Sequence, residues 1–150
     1  MTLNIELIDK IINVTSKAAT SCYKFLGKND KVNADKAATD SMRHEINKLK
    51  INGEVVIGEG ELDEAPMLYI GEKLGAGGKI NLDIAVDPLE GTNFVAKNLP
   101  GALSVISIAE KGNLFNAPET YMDKLAVSNK IPVDATDLDF PIEKNINNIA

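Results

Sequence analysis

The chain has 150 residues, 44% hydrophobic and 25% charged, which suits one compact domain, or one half of a larger one, with a real core. A net charge of −6 excludes nonspecific nucleic-acid binding, which needs a basic footprint against the phosphate backbone. It leaves a phosphorylated small molecule open, because bound cations reverse the local field.

The opening stretch MTLNIELIDK shows no basic n-region followed by an apolar h-region, so no signal peptide is expected. No apolar run is long enough to span a bilayer, and a cytoplasmic protein without a membrane partner is the expectation. Residues 4–26 read as a first helix, with Ile8, Ile11, Ile12, Thr15, Ala18, Ala19, Cys22, Phe25 and Leu26 on one apolar face and Gly27 as its stop. Cys22 is the one cysteine; it cannot close an internal disulfide, fits a reducing compartment, and reads as a small core residue. A second helix is expected from near Asn33 to about Leu49, with Ala38, Met42, Ile46 and Leu49 inward. Asp35 lies on that stripe one turn earlier, and an inward acid needs a partner. His44 follows Asp40 by four residues, but the pair lies off this stripe and reads as surface.

INGEVVIG predicts a turn and a strand centred on Val55 to Ile57. The loop GEGELDEAP follows, then APMLYIGEKLG as a brief helix and GAGG as punctuation. INLDIAVDP predicts the next strand, and ALSVISIAEKGNLFNAP a strand, a glycine turn and a second strand start. YMDKLAVSN continues that pattern less clearly, and a helix is expected to begin at Pro141. Phe115 and Met122 are expected in the core, and Lys97 in a loop.

Two acidic clusters carry the chemistry. Glu59, Glu61, Asp63 and Glu64 fall within six residues, and such charges repel unless they face water or share a cation. Taken alone the loop reads as a solvated surface loop. Glu59, however, stands between Gly58 and Gly60 directly after a strand, where α/β folds place ligands, and hard cations take carboxylate oxygens. In DIAVDPLEGT, residues Asp83, Ala85 and Asp87 point to one side of the strand, Pro88 stiffens the turn, and Glu90 returns toward the same region. Gly91 permits a tight bend with backbone N–H groups close to an anion, and Thr92 can cap a helix or hold a water. A turn alone does not require both acids.

DPLEGT resembles the Asp-Pro-Ile-Asp-Gly-Thr signature of the lithium-sensitive, metal-dependent sugar and inositol phosphatases, with Glu90 in place of the second aspartate. GKNDKVNADKAA, VVIGEGELDEAPMLYIGEKLG, DIAVDPLEGTN and NAPETYMDKL resemble, in order and spacing, the class II fructose-1,6-bisphosphatases. The resemblance runs from about Tyr23 to Leu125. It implies an α/β, layered sugar-phosphatase fold, of which residues 1–150 would be the N-terminal domain with helices on a mixed sheet. It also implies hydrolysis of the 1-phosphate of fructose 1,6-bisphosphate, a gluconeogenic step, with sedoheptulose 1,7-bisphosphate as a further substrate. The implied cofactor is Mn2+ or Mg2+. Asp35 and Glu59 would help bind one cation, and Asp87 and Glu90 another. The backbone at Glu90, Gly91 and Thr92 would contact the scissile phosphate, and Tyr121 the sugar phosphate. Lys31 would sit by the reaction centre, Thr92 with Asp35 would orient the attacking water, and Glu61 and Asp63 would be second-shell or catalytic acids.

The family's chains are longer, and their second half supplies a further acidic ligand and most sugar contacts. A homo-oligomer, or a C-terminal half arriving separately, is therefore the expected partner. Two alternatives stand beside the bisphosphatase: a related inositol or nucleotide phosphatase, and an inactive remnant or partner subunit.

Overall fold

The computed structural model describes residues 5–59, 67–115 and 122–150. The chain forms two units, Met1–Ala117 and Pro118–Ala150. Among the described residues, no helix is long and apolar enough to cross a membrane.

In the first unit, α1 spans Ile5–Cys22 and a single 3-10 turn extends it over Tyr23–Phe25. Gly27, at a φ of 72°, ends it in the left-handed conformation that glycine adopts without strain. The buried face differs from the sequence expectation: Leu7, Val14, Ala18 and Cys22 are buried, whereas Ile8 and Ile12 are exposed. α2 spans Lys31–Ile46 and starts earlier than expected, because Asp30 caps it: its Oδ1 accepts from Asn33 N at 3.1 Å. Its inward stripe is as read, with Ala38, Met42, Ile46 and the following Leu49 all buried.

The two helices pack on a mixed sheet with strand order β2-β1-β3-β4. Its strands are β1 (Asn52–Ile57), β2 (Lys73–Leu74), β3 (Asn81–Glu90) and β4 (Leu103–Glu110). β1 and β3 run parallel, and β2 and β4 flank them antiparallel. Ile51, Val55, Leu82, Ile84, Val86 and Leu89 meet the helix stripes in one core. A short helix, α3, spans Thr92–Ala96. The chain 67–75, expected to be helical, is not: Val55 N donates to Glu72 O at 2.9 Å and Gly71 N to Val55 O at 2.7 Å, which lays it beside β1. After the turn at Gly112 no second strand starts among the described residues, and Phe115 is 81% exposed rather than core.

In the second unit, α4 spans Ile142–Ile149 with Pro141 as its N-cap, where the sequence placed it. Asn145 fastens the preceding turn, accepting from Asp137 N at 3.0 Å and donating to Asp137 O at 2.9 Å. Met122, expected in the core, is 68% exposed.

Asp83 is structural. It is buried, and its Oδ2 accepts the N–H groups of Gly112, Asn113 and Leu114 at 2.6, 3.0 and 3.2 Å. Asp83→Ala strands three donors, and a loss of about 3 kcal/mol is expected from the denaturation midpoint. Phe115→Ala should change stability by less than about 0.5 kcal/mol in the same measurement.

Candidate metal and phosphate site

The site is built on a bulge. Asp87 pairs with Val105 and Glu90 with Leu103, so β3 takes three steps where β4 takes two. In a regular strand, residues three apart point to opposite faces. One extra residue returns both acids to the same side. Pro88 suits the bulge because it has no N–H to leave unpaired. The other inserted amide, Leu89 N, donates to Asp87 Oδ1 at 3.1 Å. Gly91 follows at a φ of 81°, where a Cβ would stand 2.8 Å from the Phe94 ring. Gly91, not Thr92, is the N-cap residue of α3; Thr92 is its first helical residue and its side chain makes no cap.

Burial pushes the Asp87 carboxyl up to about 6, helped by the neighbouring Glu90 carboxyl and by the charge of Asp35. Burial also raises Asp35. Asp35 Oδ1 is buried and meets no hydrogen-bond donor among the described residues.

Asp35 comes from a different segment, and backbone hydrogen bonds bring it here. Gly27 N donates to Val95 O at 2.9 Å and Asn29 N to Ala96 O at 2.8 Å, which docks the α1–α2 connection on α3. The start of α2 then faces Thr92 across a cavity of about 250 Å3 lined by Lys31, Val32, Asp35, Met67 and Thr92. A larger cleft, about 370 Å3, opens at the other end of β1 and β3, beside Asn52, Asn81, Lys73 and Lys111. Both lysines there are already paired with Glu54, at 2.6 and 3.1 Å, so the smaller cavity, with its unpaired carboxylate oxygen, is the chemical one.

Glu59 follows the end of β1. Its N–H donates to Leu68 O at 3.0 Å, and its Oε2 is buried. It is not among the described residues lining the cavity. Glu61, Asp63 and Tyr121 lie outside the described residues. His44 is exposed, and Asp40 pairs with Lys36 at 3.1 Å, both as read from the sequence. Val32 and Met67 were missed as cavity residues, and Arg43, which does not line the cavity but donates from Nη2 to Met67 O at 2.5 Å, was missed as a contact of its wall. Arg43 is the chain's one arginine, and that singularity was a signal available in the sequence.

Among the described residues, no three carboxylate, histidine or thiol groups stand close enough to surround one ion. Even so, the donors fit a hard divalent cation. Magnesium is commonly held by one or two carboxylates, with waters and phosphate oxygens completing its shell. Asp87 and Glu90, on one side of the bulged strand, supply two such carboxylates, and the buried, donor-free Asp35 oxygen supplies one for a separate ion.

The raised Asp87 has a testable sign. A carboxyl whose folded pKa lies above its unfolded value stabilises the fold fully below the unfolded value, about 3.8, and that contribution is lost as pH rises through about 6. For a half-buried group in water the loss is on the order of 1 kcal/mol. Asp87→Asn keeps an acceptor for Leu89 N, so the metal-free variant should match the parent near pH 3.5 and exceed it by that amount at pH 7. Urea midpoints at the two pH values check this.

The profile of "Bacterial fructose-1,6-bisphosphatase, glpX-encoded" matches residues 5–150. The chain is 48% identical to "Fructose-1,6-bisphosphatase 1 class 2" of Escherichia coli (strain K12) over 145 residues, 97% of this chain and 43% of that protein. It is 48% identical over 124 residues to "D-fructose 1,6-bisphosphatase class 2/sedoheptulose 1,7-bisphosphatase" of Prochlorococcus marinus (strain AS9601), covering 83% of this chain and 37% of the relative. The chain thus spans less than half the length of these curated relatives. By the profile match over residues 5–150, with 48% identity to class 2 relatives beside it, the chain belongs to the glpX-type bacterial fructose-1,6-bisphosphatase family.

Proposed function

We propose that this chain carries the metal- and phosphate-binding part of a class 2 fructose-1,6-bisphosphatase. The reaction is hydrolysis of the 1-phosphate of fructose 1,6-bisphosphate to fructose 6-phosphate and phosphate. Sedoheptulose 1,7-bisphosphate is a second substrate, a reading supported by the name of the Prochlorococcus relative. The observation that carries the proposal is the bulge that returns Asp87 and Glu90 to one side of β3, together with the buried Asp35 Oδ1, which meets no donor among the described residues and shares its cavity with Lys31 and Thr92. Like charges on one side of a strand are stable together when a cation lies between them.

Asp35 and Glu59 would hold one divalent cation, and Asp87 and Glu90 a second; manganese or magnesium suits these oxygen donors. Bound there, the cations lower the pKa of a water, hold the phosphoryl oxygens and neutralise the leaving alkoxide. The chain's own groups do the rest. The backbone N–H groups of Gly91 and Thr92 face the phosphate, and the Lys31 ammonium offsets its charge. The Thr92 hydroxyl and the Asp35 carboxylate orient the attacking water. Its oxygen bonds to phosphorus as the bond from phosphorus to the sugar oxygen breaks; one water proton stays on the released phosphate and the other passes to the Asp35 carboxylate, while the departing alkoxide takes a proton from Glu61 or Asp63, and proton exchange with solvent returns both acids to their starting states. Tyr121 holds the second phosphate. Positioning and charge account for most of the acceleration in phosphoryl transfer.

A second reading rests on the 43% coverage: the chain binds metal and phosphate and needs a further polypeptide for turnover. Phosphate release from fructose 1,6-bisphosphate by the 150-residue chain, with manganese and beside Glu90→Gln, separates the readings. Metal-dependent release that falls at least about a hundredfold in Glu90→Gln is the expected result. Manganese uptake without release favours the second reading, and release that persists without metal or in Glu90→Gln contradicts both.

A further inference from the structure

We infer that Arg43 is a positioning residue for the cation that Asp35 and Glu59 would share, an inference that rests on the metal reading above. Asp35, Thr39 and Arg43 are spaced by four residues each and so follow one stripe of α2. Arg43 reaches from that stripe to the chain that follows the acidic loop. Its Nε donates to Glu72 Oε1 at 2.7 Å, and its Nη2 donates to Glu72 Oε2 at 3.2 Å and to Met67 O at 2.5 Å. Glu72 is buried, and it is tied to β1 through Val55 N. Met67 shares a cavity with Asp35, and the next residue, Leu68, receives the N–H of Glu59.

One side chain therefore links the helix of Asp35 to the strand end of Glu59. The remaining spacer is backbone: a Cβ on Gly58 would stand 2.2 Å from Leu68 O, so the strand end already lies against this segment. The link demands a planar fork. A lysine would keep the charge but has one nitrogen, and it cannot hold both Glu72 oxygens and the Met67 carbonyl in fixed directions. A chain with 16 basic residues that uses arginine at this position alone matches that demand.

The test is manganese binding by the 150-residue chain, followed by calorimetry, with melting temperature and amide exchange at Glu59 measured in parallel. Groups that orient metal ligands typically change affinity by about 10- to 100-fold when replaced. Arg43→Lys should weaken one manganese site about tenfold and leave the Asp87–Glu90 site unchanged, while the Glu59 amide of the metal-free variant exchanges faster. A merely structural role would weaken both sites together. Unchanged affinity with unchanged Glu59 exchange overturns the inference, as does equal weakening of both sites. Where Arg43→Lys is unfolded at the assay temperature, Glu72→Gln decides: selective loss at one site supports the role, and no loss overturns it. Asp35→Asn separates this from the metal reading. If Asp35→Asn binds manganese like the parent, or the parent binds none, the metal reading fails and this inference with it. If only Arg43→Lys is without effect, the metal reading stands and the role of Arg43 falls.

Discussion

One extra residue in β3 is the feature on which the site depends. Without the bulge, Asp87 and Glu90 would face opposite sides of the sheet; with it both return to one side, and the Glu90 carboxyl helps raise the pKa of Asp87. The local sequence makes the bulge inexpensive. Pro88 contributes no unpaired donor, Leu89 N is satisfied by the Asp87 carboxylate, and Gly91 takes the left-handed turn. The electrostatic strain that remains is held by the core beneath it, where Ile84, Val86, Leu89 and Val95 are buried. The acids are thus brought together by backbone geometry and packing before any ligand arrives, the arrangement expected of a preorganised cation site.

The rest of the first unit serves the same end. Two backbone hydrogen bonds from the α1–α2 connection to α3 set Asp35 and Lys31 opposite Thr92. The buried Asp83 carboxylate gathers the turn after β4 and so secures the strand that pairs with the bulge. Arg43 and Glu72 tie the far side of the acidic loop to α2.

What could be read from the sequence follows from what is local. The α2 stripe was legible because Ala38, Met42, Ile46 and Leu49 repeat at helical spacing in an otherwise polar segment. The face of α1 was read in part: Ala18 and Cys22 are buried and Ile11, Phe25 and Leu26 pack on the core, but Leu7 and Val14 take the places given to Ile8 and Ile12, because apolar residues surround the start of that helix and spacing alone could not choose among them. The stretch 67–75 looked helical by composition, but its conformation is set by Arg43 on α2 and by the amides of β1. The turn in DPLEGT was legible from Pro88 and Gly91, whereas the bulge that returns Asp87 and Glu90 to one side was not, since register belongs to the partner strand. Thr92 was read as a cap, yet the left-handed Gly91 takes that position. Phe115 and Met122 were assigned to a core that does not cover them. The roles given to Glu61, Asp63 and Tyr121 fall on residues outside those described.

The central claim is that the β3 bulge brings the carboxyl groups of Asp87 and Glu90 to one side of the strand as a cation site. The most direct measurement is the titration of the Asp87 side-chain carboxyl by carbon-detected NMR, first without metal and then with saturating magnesium. The account predicts a midpoint near 6 without metal, moved well down when magnesium is added, because the cation favours the charged form. An Asp87 carboxyl that titrates near 3.8 and does not respond to magnesium would contradict it.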